Sequence, residues 1–426
     1  MRDKRRLIEW GKNVLMVLLT LSAGVLLSMT PLVRDSGLPG LLHPRPVQAG
    51  NSNGGAQSGP VLPARLAVCR DGGRFGLEYD DGRMEELFAA FVPLLGDALS
   101  GAGAPAPLTE GQWRGCLGQR GAYFDFSGQV PLAALARWLG GGNCPLEGSA
   151  RRLVLAAGED DAVSLCWEDG EGGGYFTCPT ALSRSLHLDP AVEAAAPNGA
   201  YFAFEDEGLS ALLDPFTLIT EGEPAAGLYA ATAPLSTAAG AEALVDALSF
   251  NNQNHAPGSS GEVYMDGTDR LVLRDGVTVS YRAAQGGKYP VESTNGAVSA
   301  AQAAEGARAL AERAMAPLCG EARLYLLSVR PYGSGGWRVR FGYRLNGCAV
   351  WLYEDGWAAE FLIEDGAVTE FVLHLRHYAA QGEGALLLPV RKAAAMLPDL
   401  TRERRELVIQ YRDGGGQSVS PGWEAV

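Results

Sequence analysis

The sequence predicts an α+β protein: an N-terminal transmembrane helix followed by two extracytoplasmic units with antiparallel sheets and packed helices. Three observations lead there. A basic start is followed by a window without charge from Asn13 to Val33. Helix-period and strand-period segments are grouped rather than alternating one by one, which argues against a doubly wound parallel sheet. Asp-Gly and Asn-Gly pairs recur between alternating apolar runs, and such pairs mark antiparallel hairpins.

At 426 residues the chain exceeds one small domain, and its 47% apolar and 20% charged residues suit buried cores. The formal charge is −14. A body this acidic repels phosphate backbones and anionic headgroups, so no nucleic-acid partner is expected.

The membrane segment follows Arg2, Lys4, Arg5, Arg6 and Lys12. A bilayer core needs about 20 apolar residues in a helix, which the stretch 13–33 supplies. The positive flank places residues 1–12 in the cytoplasm and the bulk of the chain outside. A cleaved signal peptide is the competing reading. The apolar run is longer than the ~7–15 residues of a signal core, and the small-residue site Val47-Gln48-Ala49 lies well beyond it. An uncleaved, single-pass anchor in the cell membrane is therefore expected. Any inward signal must then pass through the helix itself. Thr20, Gly24 and Ser28 recur every four residues on one helix face. Small residues there admit a close helix partner, although such residues are common in any spanning helix.

Residues 34–63 read as a flexible linker, with Pro39, Pro44, Pro46, Pro60 and the run from Gly50 to Gly55. The first globular unit is expected over 64–234. It has a strand at ARLAVCR, a helical spacing from Met84 to Leu99 with a kink at Pro93, and a capping box at Thr109–Gln112. A helix begins at Pro131, and a hairpin turns around Glu171. The second unit is expected over 235–426. It opens with a short helix near Ala241, followed by hairpins at Asp266-Gly267 and Asp275-Gly276. A helix capped by Ser299 and Gln302 stops before Pro317. An antiparallel meander, a last helix at Pro389 and a closing hairpin complete it.

Chemistry-bearing patterns are sparse. No phosphate loop or dinucleotide fingerprint occurs, and no G-x-S-x-G stands between an expected strand and helix as a serine-hydrolase elbow requires. His374 and His377 sit three apart in one expected strand, so they point to opposite faces and do not share a metal. No cofactor and no metal are expected, and no catalytic residue is assigned. Seven cysteines show no C-x-x-C spacing. Cys166 and Cys178 are symmetric about the middle of the expected hairpin. A disulfide between them is one reading, and two buried thiols the other. Acidic runs such as Glu205-Asp206-Glu207 read as a solvated face rather than an acid/base pair.

The order of parts, with a basic start, one spanning helix, a linker and an α+β ectodomain, resembles the YycH/YycI family. These are membrane-anchored regulators of the WalK (YycG) sensor histidine kinase of Gram-positive bacteria. Three groups of residues in the second unit carry the sequence likeness. The opening stretch is Leu248-Ser249-Phe250-Asn251, Tyr264-Met265-Asp266-Gly267, Leu271-Val272-Leu273, Asp275-Gly276 and Val279-Ser280-Tyr281. The central meander is Phe341-Gly342-Tyr343, Asn346-Gly347, Ala358-Ala359-Glu360-Phe361 and Asp365-Gly366. The closing part is Leu388-Pro389, Ala393-Ala394-Ala395, Tyr411 and Pro421-Gly422-Trp423. The resemblance covers about 180 residues plus the anchor. It implies an accessory protein that regulates a two-component sensor histidine kinase by contact with the kinase and/or a sister regulator. It implies no enzymatic activity and brings no catalytic motif. Two further readings are an extracytoplasmic binding or inhibitory module and an anchored cell-envelope hydrolase.

Overall fold

Alternation along the strands decides which side of each sheet is buried. The computed structural model describes residues 61–426, apart from 171–172, 221–225, 252–254, 259–260, 285, 383, 385 and 397–404. The expected spanning segment, its face of Thr20, Gly24 and Ser28, and most of the linker lie outside the described residues. No helix among the described residues is long and apolar enough to cross a membrane.

Strands β1 (Arg65–Arg70), β2 (Gly73–Glu78), β3 (Ala106–Leu108), β4 (Gly121–Pro131), β5 (Ser149–Ala157), β6 (Ala162–Asp169) and β7 (Tyr175–Ser183) form a seven-stranded sheet among the described residues. Its order is β2-β1-β4-β5-β6-β7-β3, antiparallel throughout. Both faces are covered. Leu66, Val68, Leu153 and Leu155 enter the main core with the helices Asp81–Phe88, Val92–Ser100 and Leu132–Trp138. Their neighbours Ala67, Val154 and Ala156 face the other way, onto Trp113 and Leu117 of the helix Glu110–Gly118. Double coverage explains why β5 is apolar residue after residue beyond Arg152.

The pair β8 (Tyr201–Phe202) and β9 (Leu218–Ile219) closes that second face. Strand β10 (Leu228–Thr232) joins a separate small sheet. The rest of the chain supplies β11 (His255–Gly258), β12 (Gly261–Asp266), β13 (Asp269–Arg274), β14 (Thr278–Arg282), β15 (Tyr289–Pro290), β16 (Arg323–Tyr332), β17 (Gly336–Leu345), β18 (Cys348–Leu352), β19 (Ala359–Glu364), β20 (Ala367–His374), β21 (His377–Gly382), β22 (Leu407–Asp413), β23 (Ser418–Val419) and β24 (Pro421–Ala425). Twelve of these make the large sheet, in which β17 is flanked by β16 on one edge and by β19 and β18 on the other. The helix Ala300–Met315 covers one face with Ala303, Ala307, Leu310 and Ala314. The opposite face carries ion pairs such as Arg340–Glu360 and Arg282–Glu370.

Several expected elements stand as read. The capping boxes at Thr109/Gln112 and Ser299/Gln302 are both formed. Asn346 and Gly347 have φ of 46° and 85°, and Asp365 and Gly366 have 50° and 79°, the left-handed pairs that tight hairpins need.

Four details differ. Pro93 does not kink one helix: residues 89–91 separate two helices, and the proline sits in the first turn of the second, where no N–H is required. The run through His374 and His377 is two strands in different sheets, broken at Leu375 and Arg376. The meander is interrupted, because β18 turns away from β19 and pairs in parallel with β22. The hairpin register sets Cys166 opposite Thr177, and Cys178 opposite Leu165. That is one residue off the symmetric pairing, and a one-residue slip reverses the face of every side chain. Cys178 enters the main core while Cys166 faces Trp113, so no disulfide joins them.

The two large sheets belong to one compact unit. Strand β10, at the end of the stretch read as the first unit, pairs with β21 and β23. The Asn346-Gly347 turn docks on the loop before the helix Asp81–Phe88. Asn346 accepts from the Asp81 N–H at 2.9 Å and donates to the Tyr79 carbonyl at 3.1 Å. A Cβ on Gly347 would lie 2.8 Å from Tyr79 Cα, so glycine meets both the φ and the close approach.

Candidate functional site

Charged residues embedded in otherwise apolar strands converge where the two sheets meet. Arg65 on β1, Asp125 on β4, and Arg151 and Arg152 on β5 face Glu406, which immediately precedes β22. Asp125 is fully buried and receives both Nε and Nη2 of Arg151 at 2.9 Å, plus Nη1 of Arg65 at 3.0 Å. Glu406 accepts from all three arginines: Arg65 at 3.3 Å, and Arg151 and Arg152. Arg65 also reaches Glu78 at 3.3 Å, and Arg152 reaches Glu168 at 3.1 Å and Asp214 at 3.4 Å.

Burial alone would raise the Asp125 carboxyl, but Arg151 and Arg65 more than offset it and hold it well below the carboxylate range. Glu78 has one guanidinium neighbour among the described residues, Arg65, and burial wins there, so its carboxyl is raised. The arrangement is a clamp. The carboxylates of Asp125 and Glu406 are already held by guanidinium groups, so the cluster ties β1, β4 and β5 to the end of the chain.

Two cavities flank the clamp. A polar cleft of about 540 Å³ is lined by Arg65, Arg151, Arg152, Glu406 and Gln410. An apolar cavity of about 680 Å³ is walled by Phe126, Val130, Trp138, Ala311 and Phe341. Tyr325 borders both. The larger cavity has the size and apolar character of small-molecule sites. Three of its four arginines are paired within the protein: Arg308 with Glu312 at 3.0 Å and over the Trp138 ring at 4.8 Å, Arg323 with Glu85, and Arg344 with Asp81 at 3.2 Å; the fourth, Arg313, lies over the Tyr289 ring at 5.8 Å. Burial lowers the Arg344 guanidinium, against the pull of Asp81.

Sequence reading missed this junction, although its signal was present. Arg151-Arg152 leads directly into LVLAA, and Asp125 sits inside AYFDF. A charge within an apolar strand must find a partner. The acidic run also departs from a purely solvated face. Glu205 binds Arg74, and Asp206 binds Arg391 at 2.6 Å while capping the next short helix.

His374 is a half-buried titratable group outside the clamp. Its ring lies 4.8 Å from Trp357 and 5.5 Å from Tyr353, and neither nitrogen has a hydrogen-bond partner among the described residues. Burial lowers its pKa, opposed by Asp355 at 3.9 Å. The unfolded chain therefore takes up the proton first. Stability is full above the ordinary histidine range, near ~6.5, and drains as pH falls through and below it. Urea midpoints measured from pH 8 to 5 should show that decline, and His374→Phe should flatten it.

No protein-family model matches the sequence, and no curated protein matches it. The fold does have a solved counterpart. The crystal structure of YycH from Bacillus subtilis aligns with 86% of this chain and 93% of its own, at a TM-score of 0.53 and 9% identity. The chain has a YycH-like fold. The crystal structure of an uncharacterized protein from Eubacterium rectale ATCC 33656 aligns with 48% of this chain and 76% of its own, at a TM-score of 0.31 and 12% identity. The YycH-like architecture extends well beyond the stretches whose residues resemble that family. Those stretches hold turn and packing residues of the large sheet, including the buried Phe341, Tyr343, Phe361 and Tyr411.

Proposed function

We propose that this protein is a single-pass membrane accessory regulator of a two-component sensor histidine kinase, acting by protein–protein contact and without catalysis of its own. The observation that carries this reading is the YycH-like fold over 86% of the chain. The apolar, uncharged stretch 13–33 behind a basic start supports an anchor with the ectodomain outside the cytoplasm. The spanning helix and the ectodomain both contribute to binding the kinase or a sister regulator. Regulation then requires a partner affinity that differs between the kinase's signalling states.

The test is co-purification in mild detergent from native membranes, using a C-terminal tag. A parallel chain carries an unrelated spanning helix in place of 13–33. The expected result is a sensor kinase or sister regulator bound to the native chain and depleted with the swapped helix. Gly24→Leu should produce the same depletion while the ectodomain stays folded. Recovery with both helices would move the contact to the ectodomain. Absence of any kinase or sister regulator, where the kinase is expressed, would refute the reading. A second reading, an extracytoplasmic binding module, is favoured by the 680 Å³ apolar cavity.

A further inference from the structure

Cys116 and Cys166 come from distant parts of the chain and meet where the helix Glu110–Gly118 lies against β6. Their sulfurs are 3.1 Å apart, roughly 1 Å beyond the ~2.05 Å of a disulfide bond. Cys166 donates its S–H to Cys116, and its sulfur lies 3.4 Å from Thr177 Oγ1. The two thiols differ in access: Cys116 is half-buried, while Cys166 is 1% exposed. They also differ in acidity. The hydrogen bond from Cys166 lowers the Cys116 thiol against partial burial, and the same bond together with burial raises Cys166. An accessible, acidified thiol with a buried thiol behind it is the arrangement of cysteines that attack a disulfide and are then resolved internally. The other five cysteines are buried.

We propose that Cys116 and Cys166 form an oxidisable dithiol that reacts with low-molecular-weight disulfides and closes to an intramolecular bond. The Cys116 thiolate attacks one sulfur of the small disulfide, forming a mixed disulfide and releasing one thiolate. Cys166 then attacks the Cys116 sulfur, forming the internal bond and releasing the second small thiolate. The two protein protons leave with the two released thiols. The protein is oxidised by two electrons, and the small disulfide is reduced by two. The bond pins the helix that carries Trp113 and Leu117 to β6. It spans 50 positions of sequence, so it constrains the unfolded chain strongly.

The test treats the whole chain with oxidised glutathione, then denatures and alkylates it. Titratable thiols should fall from seven to five, and peptide mapping should recover Cys116 linked to Cys166. The melting temperature should rise by roughly 5 °C over the reduced form. Cys116→Ser should retain all six of its thiols under the same treatment. Cys166→Ser should instead accumulate a glutathione adduct at Cys116. Seven thiols remaining in the unsubstituted chain, a stable glutathione adduct at its Cys116, or a bond joining any other pair would overturn the proposal.

Discussion

Glu406→Ala should lower the unfolding free energy by about 3–5 kcal/mol, because it strips a shared partner from three arginines at the junction of the sheets. The loss reflects less the value of any single ion pair than the penalty of under-compensating cations in a dry junction: Arg65 would keep Asp125 and Glu78, Arg151 Asp125, and Arg152 the more distant Glu168 and Asp214. Arg65 and Arg152 have side chains only 6% and 4% exposed, so water cannot replace the carboxylate. Urea unfolding measures the loss, and a double-mutant cycle tests its cause. Arg152→Ala should be markedly less damaging in the Glu406→Ala background than in the native one. Additive effects would mean that the two side chains do not share a site. The Asp125 side of the clamp should also be indifferent to mild acid. Asp125 is held well below the carboxylate range, so its contribution is intact above about pH 4 and is lost only as pH falls further. A decline between pH 7 and 5 then belongs to His374, not to Asp125.

Trp113→Ala should lower stability by a similar amount, about 3–5 kcal/mol, through a cavity rather than a charge. Trp113 is fully buried and stacks on Tyr175 at 5.3 Å, with Phe216 edge-on at 6.2 Å. It is the main apolar anchor of the helix Glu110–Gly118, whose other buried side chain is Leu117. Trp113→Phe should be far milder, about 1 kcal/mol. It keeps an aromatic ring against Tyr175 and removes an indole N–H that is buried without an acceptor among the described residues. Urea unfolding of the two variants separates packing from polarity. Equal losses would contradict this account of the site.

The division between what sequence reading reached and what it missed follows the range of the interactions. Capping at Thr109 and Ser299 needs only residues three positions apart, and both caps are where the sequence places them. The turns at Asn346-Gly347 and Asp365-Gly366 need only a local left-handed backbone, and the residues suited to it are written at those positions. The segregated order of helices and strands was enough for the α+β class with antiparallel sheets.

The cysteines show where local reasoning stops. Symmetry about the hairpin centre paired Cys166 with Cys178, yet register is set by which face each strand buries. A slip of one residue sent the thiols to opposite faces. The real neighbour of Cys166 is Cys116, on a helix that strand spacing says nothing about.

By itself the sequence determined the helix caps, the hairpin turns, the segregated α+β order and the acidic charge. Each rests on contacts within a few residues or on composition alone. Tertiary structure alone decided that β18 pairs in parallel with β22, that β10 joins β21 and β23, and that Glu406 meets three arginines from far earlier in the chain. Those choices depend on which buried charges and strand edges must find partners once the sheets are packed. That requirement exists only when residues distant in sequence share one dry interior.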